Sequence, residues 1–228
     1  MVQKGAFGEI YVVSQKGDTS KATFVLKRMK LSKLSPEQTQ QLHNEVHIHH
    51  KLNRGLEGQH ENIVRFKESF VDRRVYGCIV LEHCKGGDLA SKVNMARKKN
   101  ELLEEDKVLG WFAQTAAAVR CMHGNNILHR DIKLENCFLS GGSVKLGDFG
   151  LAVEMPEGAT EVYEACGTVT SMAPELLPLP GDGEKRPVGS VKSDVWALGA
   201  LLYELCAQGK LFDTPVDSFG LGACPACS

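Results

Sequence analysis

The sequence predicts a two-lobed α+β fold, a small β-rich lobe followed by a larger helical one. Three observations predict it. Strand-like stretches of β-branched and apolar residues fill the chain up to about Leu81, the glycine pair Gly86-Gly87 follows, and the patterning beyond it is mostly helical. With 228 residues, 43% of them hydrophobic, the chain can bury a substantial core.

In order, Glu9 to Val13 and Thr23 to Met29 read as strands. Ser14-Gln15-Lys16-Gly17-Asp18 between them has turn composition, so the pair is a hairpin. Ser35-Pro36-Glu37 offers a helix start, with serine at the cap and proline at the first helical position, and Leu42, Val46 and Ile48 carry the helix toward Leu52. Two more strands are expected at Ile63 to Ser69 and Val75 to Leu81, then a hinge at Glu82 to Gly86. Trp111 to Met122 reads as a long apolar-rich helix. The resulting division is a small lobe at 1–81, a hinge at 82–86, an incomplete helical lobe at 87–211 and an irregular tail at 212–228.

A net charge of −1 gives no global attraction to nucleic acid. The eight cysteines are scattered singly apart from Cys224-Pro225-Ala226-Cys227, which suits a reducing cytosol or nucleus. That terminal C-x-x-C could serve redox chemistry or half a zinc site, but no second ligand pair accompanies it and an inert tail is favoured. No charged-then-apolar leader and no apolar run of membrane-spanning length is present, so a cytoplasmic or nuclear protein without a membrane partner is expected. His43, His47 and His50 fall at helical spacing, where a polar helix flank is favoured over a metal face.

The chemistry is concentrated in His129-Arg130-Asp131-Ile132-Lys133-Leu134-Glu135-Asn136, followed twelve residues later by Asp148-Phe149-Gly150. Asp131 is a carboxylate that could take the proton of a substrate hydroxyl, and Asn136 and Asp148 offer the hard oxygens that magnesium prefers. Phosphoryl transfer is the chemistry implied. Upstream lie Gly5-Ala6-Phe7-Gly8-Glu9-Ile10, Val25-Leu26-Lys27 and Glu45; downstream lie Ala173-Pro174-Glu175 and Asp194-Val195-Trp196. With these motifs in this order, the chain resembles the eukaryotic protein kinases, and Lys133 resembles their serine/threonine branch. Asn136-Cys137-Phe138-Leu139, Val144 to Gly150 and Cys84-Lys85-Gly86-Gly87-Asp88-Leu89 are similar more narrowly to the NIMA-related (NEK) kinases.

The resemblance implies ATP and Mg2+ bound between the lobes, and a protein serine or threonine as acceptor. It assigns Asp131 as catalytic base and Lys133 as the cation on the transferring phosphoryl group, with Asn136 and Asp148 as magnesium ligands. Gly5, Ala6, Phe7 and Gly8 would cover the phosphates, although such a loop alone is equally an ordinary glycine turn. Lys27, fixed by Glu45, would hold the α- and β-phosphates. Adenine would lie between Ile10 and Val25 above and Phe138 below, bonded to the backbone of Glu82 and Cys84, with Leu81 as gatekeeper.

Three positions depart from the family pattern. Gln3 stands where a glycine is usual, Val25 where an alanine is usual, and His49 where an apolar side chain packs on Phe149 in a spine with Phe66 and His129. Glu164 stands where NEK-like kinases carry a phosphorylated residue that pairs with Arg130, and it reads either as a built-in substitute or as a solvated acid. No late helical pattern follows Leu211 to supply the family's arginine partner for Glu175, so a marginal monomer that needs a regulatory partner or chaperone is expected. Gln3, Val25, His49 and the short C-terminus support an alternative from another class, a truncated, pseudokinase-like interaction module. A small-molecule or lipid kinase is disfavoured by Ala173-Pro174-Glu175 and by Lys133.

Overall fold

The computed structural model describes residues 3–5, 8–17, 21–54, 60–162, 171–176 and 189–209. The expectations for Ala6, Phe7, Glu164 and the tail at 212–228 therefore lie outside the described residues. A β-sheet lobe and a helical lobe are both present.

Five antiparallel strands form the first: β1 (Gln3–Gly5), β2 (Gly8–Ser14), β3 (Thr23–Lys30), β4 (Phe66–Asp72) and β5 (Tyr76–Glu82), in the order β1-β2-β3-β5-β4. The first hairpin sits where turn composition placed it, with Lys27 opposite Ile10 on β2 and Ile79 on β5. Helix α1 (Pro36–Arg54) crosses the sheet. Its start is a reciprocal cap: the Gln38 amide N-H donates to Ser35 Oγ at 3.2 Å, and the Ser35 N-H donates to Gln38 Oε1 at 3.0 Å. Leu42, Met29, Phe66, Ile79 and Leu81 form the core between helix and sheet.

The strand expected at Ile63 to Ser69 begins later, at Phe66. The reason is that Asn62 to Val64 are bound elsewhere: Val64 N-H donates to the Leu146 carbonyl and Leu146 N-H to that of Asn62, both at 2.8 Å, stitching this stretch to the helical lobe. At the other end of β4, Arg73, Arg74 and Val75 form a three-residue turn, with Arg73 and Arg74 at φ of 50° and 58°, so Val75 belongs to the turn and not to β5.

At the end of the hinge, Gly86 passes so close to the chain that an added Cβ would lie 2.6 Å from Leu139 Cβ, and its N-H donates to the Leu139 carbonyl. Helix α2 (Leu89–Lys99) is capped by Asp88, which accepts from the Ser91 N-H at 2.6 Å. It ends at Asn100 in the left-handed region. Helix α3 (Glu105–Gly124) extends the expected Trp111 to Met122 at both ends. Short pairs β6 (Ile127–Leu128) with β9 (Val153–Glu154), β7 (Cys137–Ser140) with β8 (Ser143–Leu146), and β10 (Glu161–Val162) with β11 (Gly189–Ser190) carry the site segments. Helix α4 (Val191–Ala207) starts in a capping box made by Ser190 and Ser193. Trp111, Ala118, Met122, Ile132, Leu146, Phe149 and Leu201 are buried in one core beneath the site.

Candidate active site

Strand β3 and helix α1 bring Lys27 and Glu45 together. Lys27 Nζ lies 2.7 Å from Glu45 Oε1 and 2.8 Å from Asp148 Oδ1, so one ammonium bridges two carboxylates. Burial opposes the Lys27 charge, but the two carboxylates outweigh it and raise its pKa above the usual lysine value. Glu45, 6% exposed at its side chain, is pushed up first by burial and then opposed by Lys27. Asp148 opens toward the cleft at 45% exposure, and the Lys27 charge holds its carboxyl below the usual range.

On the other side of the cleft Asp131 is buried. Its Oδ2 accepts from Lys133 Nζ at 2.8 Å and from Asn136 Nδ2 at 2.9 Å. The Asn136 amide nitrogen also donates to the Asp131 carbonyl at 2.8 Å, which turns its Oδ1 the other way. The backbone of the run is clamped from α4. Asp194 accepts from the His129 N-H (Oδ2, 2.9 Å) and the Arg130 N-H (Oδ1, 2.9 Å), and its Oδ2 lies 2.8 Å from His123 Nε2. The clamp holds Arg130 at φ 64°, and Asp148 adopts φ 63°; left-handed backbone at side-chain-bearing residues persists only where the surroundings impose it. Arg130 Nε donates to the Leu151 carbonyl at 2.7 Å, tying the run to the segment after Asp148-Phe149-Gly150. Before Asp148, Gly147 has no room for a side chain: a Cβ would lie 2.7 Å from Val64 Cγ2 and 3.3 Å from Phe138 Cε2.

Gly8, Ile10, Lys27, Asp131, Lys133 and Asp148 line one cavity of about 390 Å³. Val25, Leu81, Cys84 and Phe138 are not among the residues that line it. Val25 pairs with Leu81 across β3 and β5, and Cys84 and Phe138 pack on the cluster that contains Leu81 and Phe66. Burial, then the Glu82 charge, pushes the Cys84 thiol up to about 12, so it is neutral here. Glu82 ends β5, its side chain 3.0 Å from Lys145 Nζ. Gly5 ends β1; Ala6 and Phe7 lie outside the described residues.

Asn136 and Asp148 suit magnesium, a hard cation usually held by one or two carboxylates, waters and substrate phosphates, not by a full protein cage. Among the described residues no three His, Cys, Asp or Glu side chains gather as a metal site. His47 turns to Glu154 instead, and His50 lies edge-on to Phe66. The spine expected around His49 is assembled: its ring stacks on Phe66 at 5.2 Å and meets Phe149 edge-on at 4.9 Å, and His129 meets Phe149 at 5.6 Å. His49 is 2% exposed, and its Nε2 has no hydrogen-bond partner among the described residues. Burial, then the Lys27 charge, pushes its pKa down to about 3.

Sequence reasoning quoted Asp194 without giving it a role, and missed Asn62 and Gln114. Asn62 donates to the Val144 carbonyl at 2.9 Å, and Gln114 Oε1 accepts from the Val144 N-H at 2.7 Å, which fixes β8 ahead of Asp148. An asparagine next to an apolar strand and a glutamine on an otherwise apolar helix face were the available signals.

The model of the protein kinase domain matches residues 2–219. The chain belongs to the protein kinase family. It is 36% identical over 215 residues to the serine/threonine-protein kinase Nek1 of Mus musculus, covering 93% of this chain and 16% of that protein. To Nek5 of Homo sapiens it is 36% identical over 216 residues, covering 93% and 28%. To Nek3 of Mus musculus it is 38% identical over 208 residues, covering 91% and 37%. The kinase-domain chain thus spans well under half the length of these relatives, and its resemblance to the serine/threonine Nek kinases agrees with Lys133 two residues after Asp131. No helix among the described residues is long and apolar enough to cross a membrane.

Proposed function

We propose that this chain transfers the γ-phosphoryl group of ATP to a serine or threonine hydroxyl of a protein. The observation that carries the reading is Lys27 held between Glu45 and Asp148 in the same cavity as Asp131 and Lys133. In this reading the acceptor oxygen attacks the γ-phosphorus, its proton passes to the Asp131 carboxylate, and the bond from phosphorus to the β–γ bridging oxygen breaks to release ADP. Lys133 stabilises charge on the transferring group, and Lys27 positions the α- and β-phosphates. Magnesium, when bound, neutralises phosphate charge; Asn136 and Asp148 would hold it. Adenine would be held by Ile10, Val25, Leu81 and Phe138, with its edge on the Glu82 and Cys84 backbone. Scattered cysteines support a cytosolic or nuclear setting.

The test is transfer of labelled phosphoryl from Mg-ATP to a generic protein substrate, with Asp131→Asn as control. Removing the base is expected to lower kcat by about 10²–10⁴. Label transfer by the parent that is unchanged in Asp131→Asn overturns the assignment. The buried Nε2 of His49, with no hydrogen-bond partner among the described residues, favours a second reading, a chain that binds partners without turnover. A thermal-shift titration with Mg-ATP separates the two, because a ligand that binds the native state raises its melting temperature by mass action.

A further inference from the structure

Helix α1 carries two functional stripes. Glu45 and His49 face the cleft and the spine. At about 100° per residue, Asn44, His47 and Lys51 share a second stripe, and all three meet the stretch just after Asp148-Phe149-Gly150. Asn44 Nδ2 donates to the Ala152 carbonyl. His47 Nε2 lies 2.8 Å from Glu154 Oε2, and Lys51 Nζ lies 2.6 Å from Glu154 Oε1, so both carboxylate oxygens of one β9 residue are directed at one helix. The hydrogen bond to His47, then that to Lys51, holds the Glu154 carboxyl below the usual range.

The other side of Glu154 is anchored in the helical lobe. Strand β9 pairs with β6, Ile127 opposite Glu154 and Leu128 opposite Val153, and the Met155 N-H donates to the Asn126 carbonyl at 2.8 Å. Strand β6 runs directly into His129 and the Asp194 clamp. A line of contacts therefore joins α1, which belongs to the sheet lobe, to the strand that precedes the catalytic run.

We propose that Glu154 is a positioning residue that, through Lys51 and His47, holds α1 where Glu45 reaches Lys27. The proposal rests on the kinase reading above. Exposed ion pairs add little to global stability. This one bridges two lobes, so its effect falls on where α1 sits relative to the cleft, and Glu45 moves with the helix.

The test is Glu154→Gln, and Glu154→Lys alone and combined with Lys51→Glu, each assayed for kcat, for KM of Mg-ATP, for melting temperature and for amide hydrogen exchange in α1. Glu154→Gln is expected to lower kcat/KM for Mg-ATP by about two- to thirtyfold, with the melting temperature shifted by no more than about 4 °C. The reversed pair is expected to recover most of the loss seen in Glu154→Lys, and α1 amides are expected to exchange faster in Glu154→Gln than in the parent. Unchanged kcat/KM, or no recovery by the reversed pair, overturns the proposal. If the parent transfers no phosphoryl at all, the kinase reading fails on that result, and the exchange data alone decide the tether: faster α1 exchange in Glu154→Gln upholds it and unchanged exchange overturns it.

Discussion

In the helical lobe, Asp131 stands among groups whose own places are fixed by buried bonds: Asp194 holds the backbone of the run at two N-H groups and meets the His123 ring, and Asn136 and Lys133 close on the carboxylate. In the sheet lobe, Lys27 depends on Glu45, and Glu45 depends on a helix held by an exposed ion-pair tether and by an imidazole lacking a described hydrogen-bond partner at Nε2. The half that carries Asp131 is built in, whereas the half that carries Lys27 rests on where α1 sits. A perturbation of similar chemical size therefore acts differently in the two places: in the helical lobe it destabilises the fold, and in the sheet lobe it shifts the balance between assembled and displaced α1.

The largest effect is expected at the clamp. Asp194→Ala leaves the His129 and Arg130 N-H groups and His123 without their acceptor, at a cost of at least about 3 kcal/mol measured by denaturant unfolding. A loss below 1 kcal/mol would mean that the run holds itself in place. Next, Gly147→Ala forces a Cβ against Val64, itself bonded to β8, and overpacking of this kind costs about 1–3 kcal/mol. Activity should fall with it, because Asp148 is the next residue.

The sheet lobe is probed by His49→Leu. With a folded pKa near 3 against an ordinary 6.5, His49 binds fewer protons folded than unfolded between those values. Its contribution is therefore fully present above about pH 6.5 and is lost as pH falls toward 3, at up to about 1.4 kcal/mol per pH unit. His49→Leu should flatten that part of a stability profile and raise stability at pH 7 by about 1–3 kcal/mol, since it removes an unsatisfied polar atom. A profile with the same slope in both proteins would assign the dependence to other groups. The smallest effect is expected for Val25→Ala, alone or with Gln3→Gly, which should tighten nucleotide binding measured by calorimetry by widening the space opposite Leu81. No gain would remove Val25 from the adenine wall.

Much of this was legible because it is local. Ser35-Pro36 marks the start of α1 by chemistry confined to four residues, and the spacing of Asp131, Lys133 and Asn136 fixes their convergence once the run is clamped. What escaped depends on partners far along the chain. Asn62 to Val64 have strand composition yet pair with Leu146, and Lys51 meets a carboxylate on β9 that no spacing rule connects to it. Helix α2 was missed although Asp88 caps it and Leu89, Val93 and Ala96 repeat at helical spacing, because Gly86-Gly87 read as loop. The expected strands left a gap between Ser69 and Val75 but no turn was read in it, because Arg-Arg carries none of the Asn-Gly signal that its backbone conformation favours.

That turn bears on the order in which the sheet assembles. Two side-chain-bearing residues at positive φ give the β4–β5 hairpin no local bias to close, so it is a poor nucleus despite its short loop. Strand β5 lies between β3 and β4, and Lys27 meets Ile79 across a long sequence separation. The β2–β3 hairpin is then the local nucleus this sheet offers, and joining β5 to it closes a long loop whose entropy is expected to slow folding.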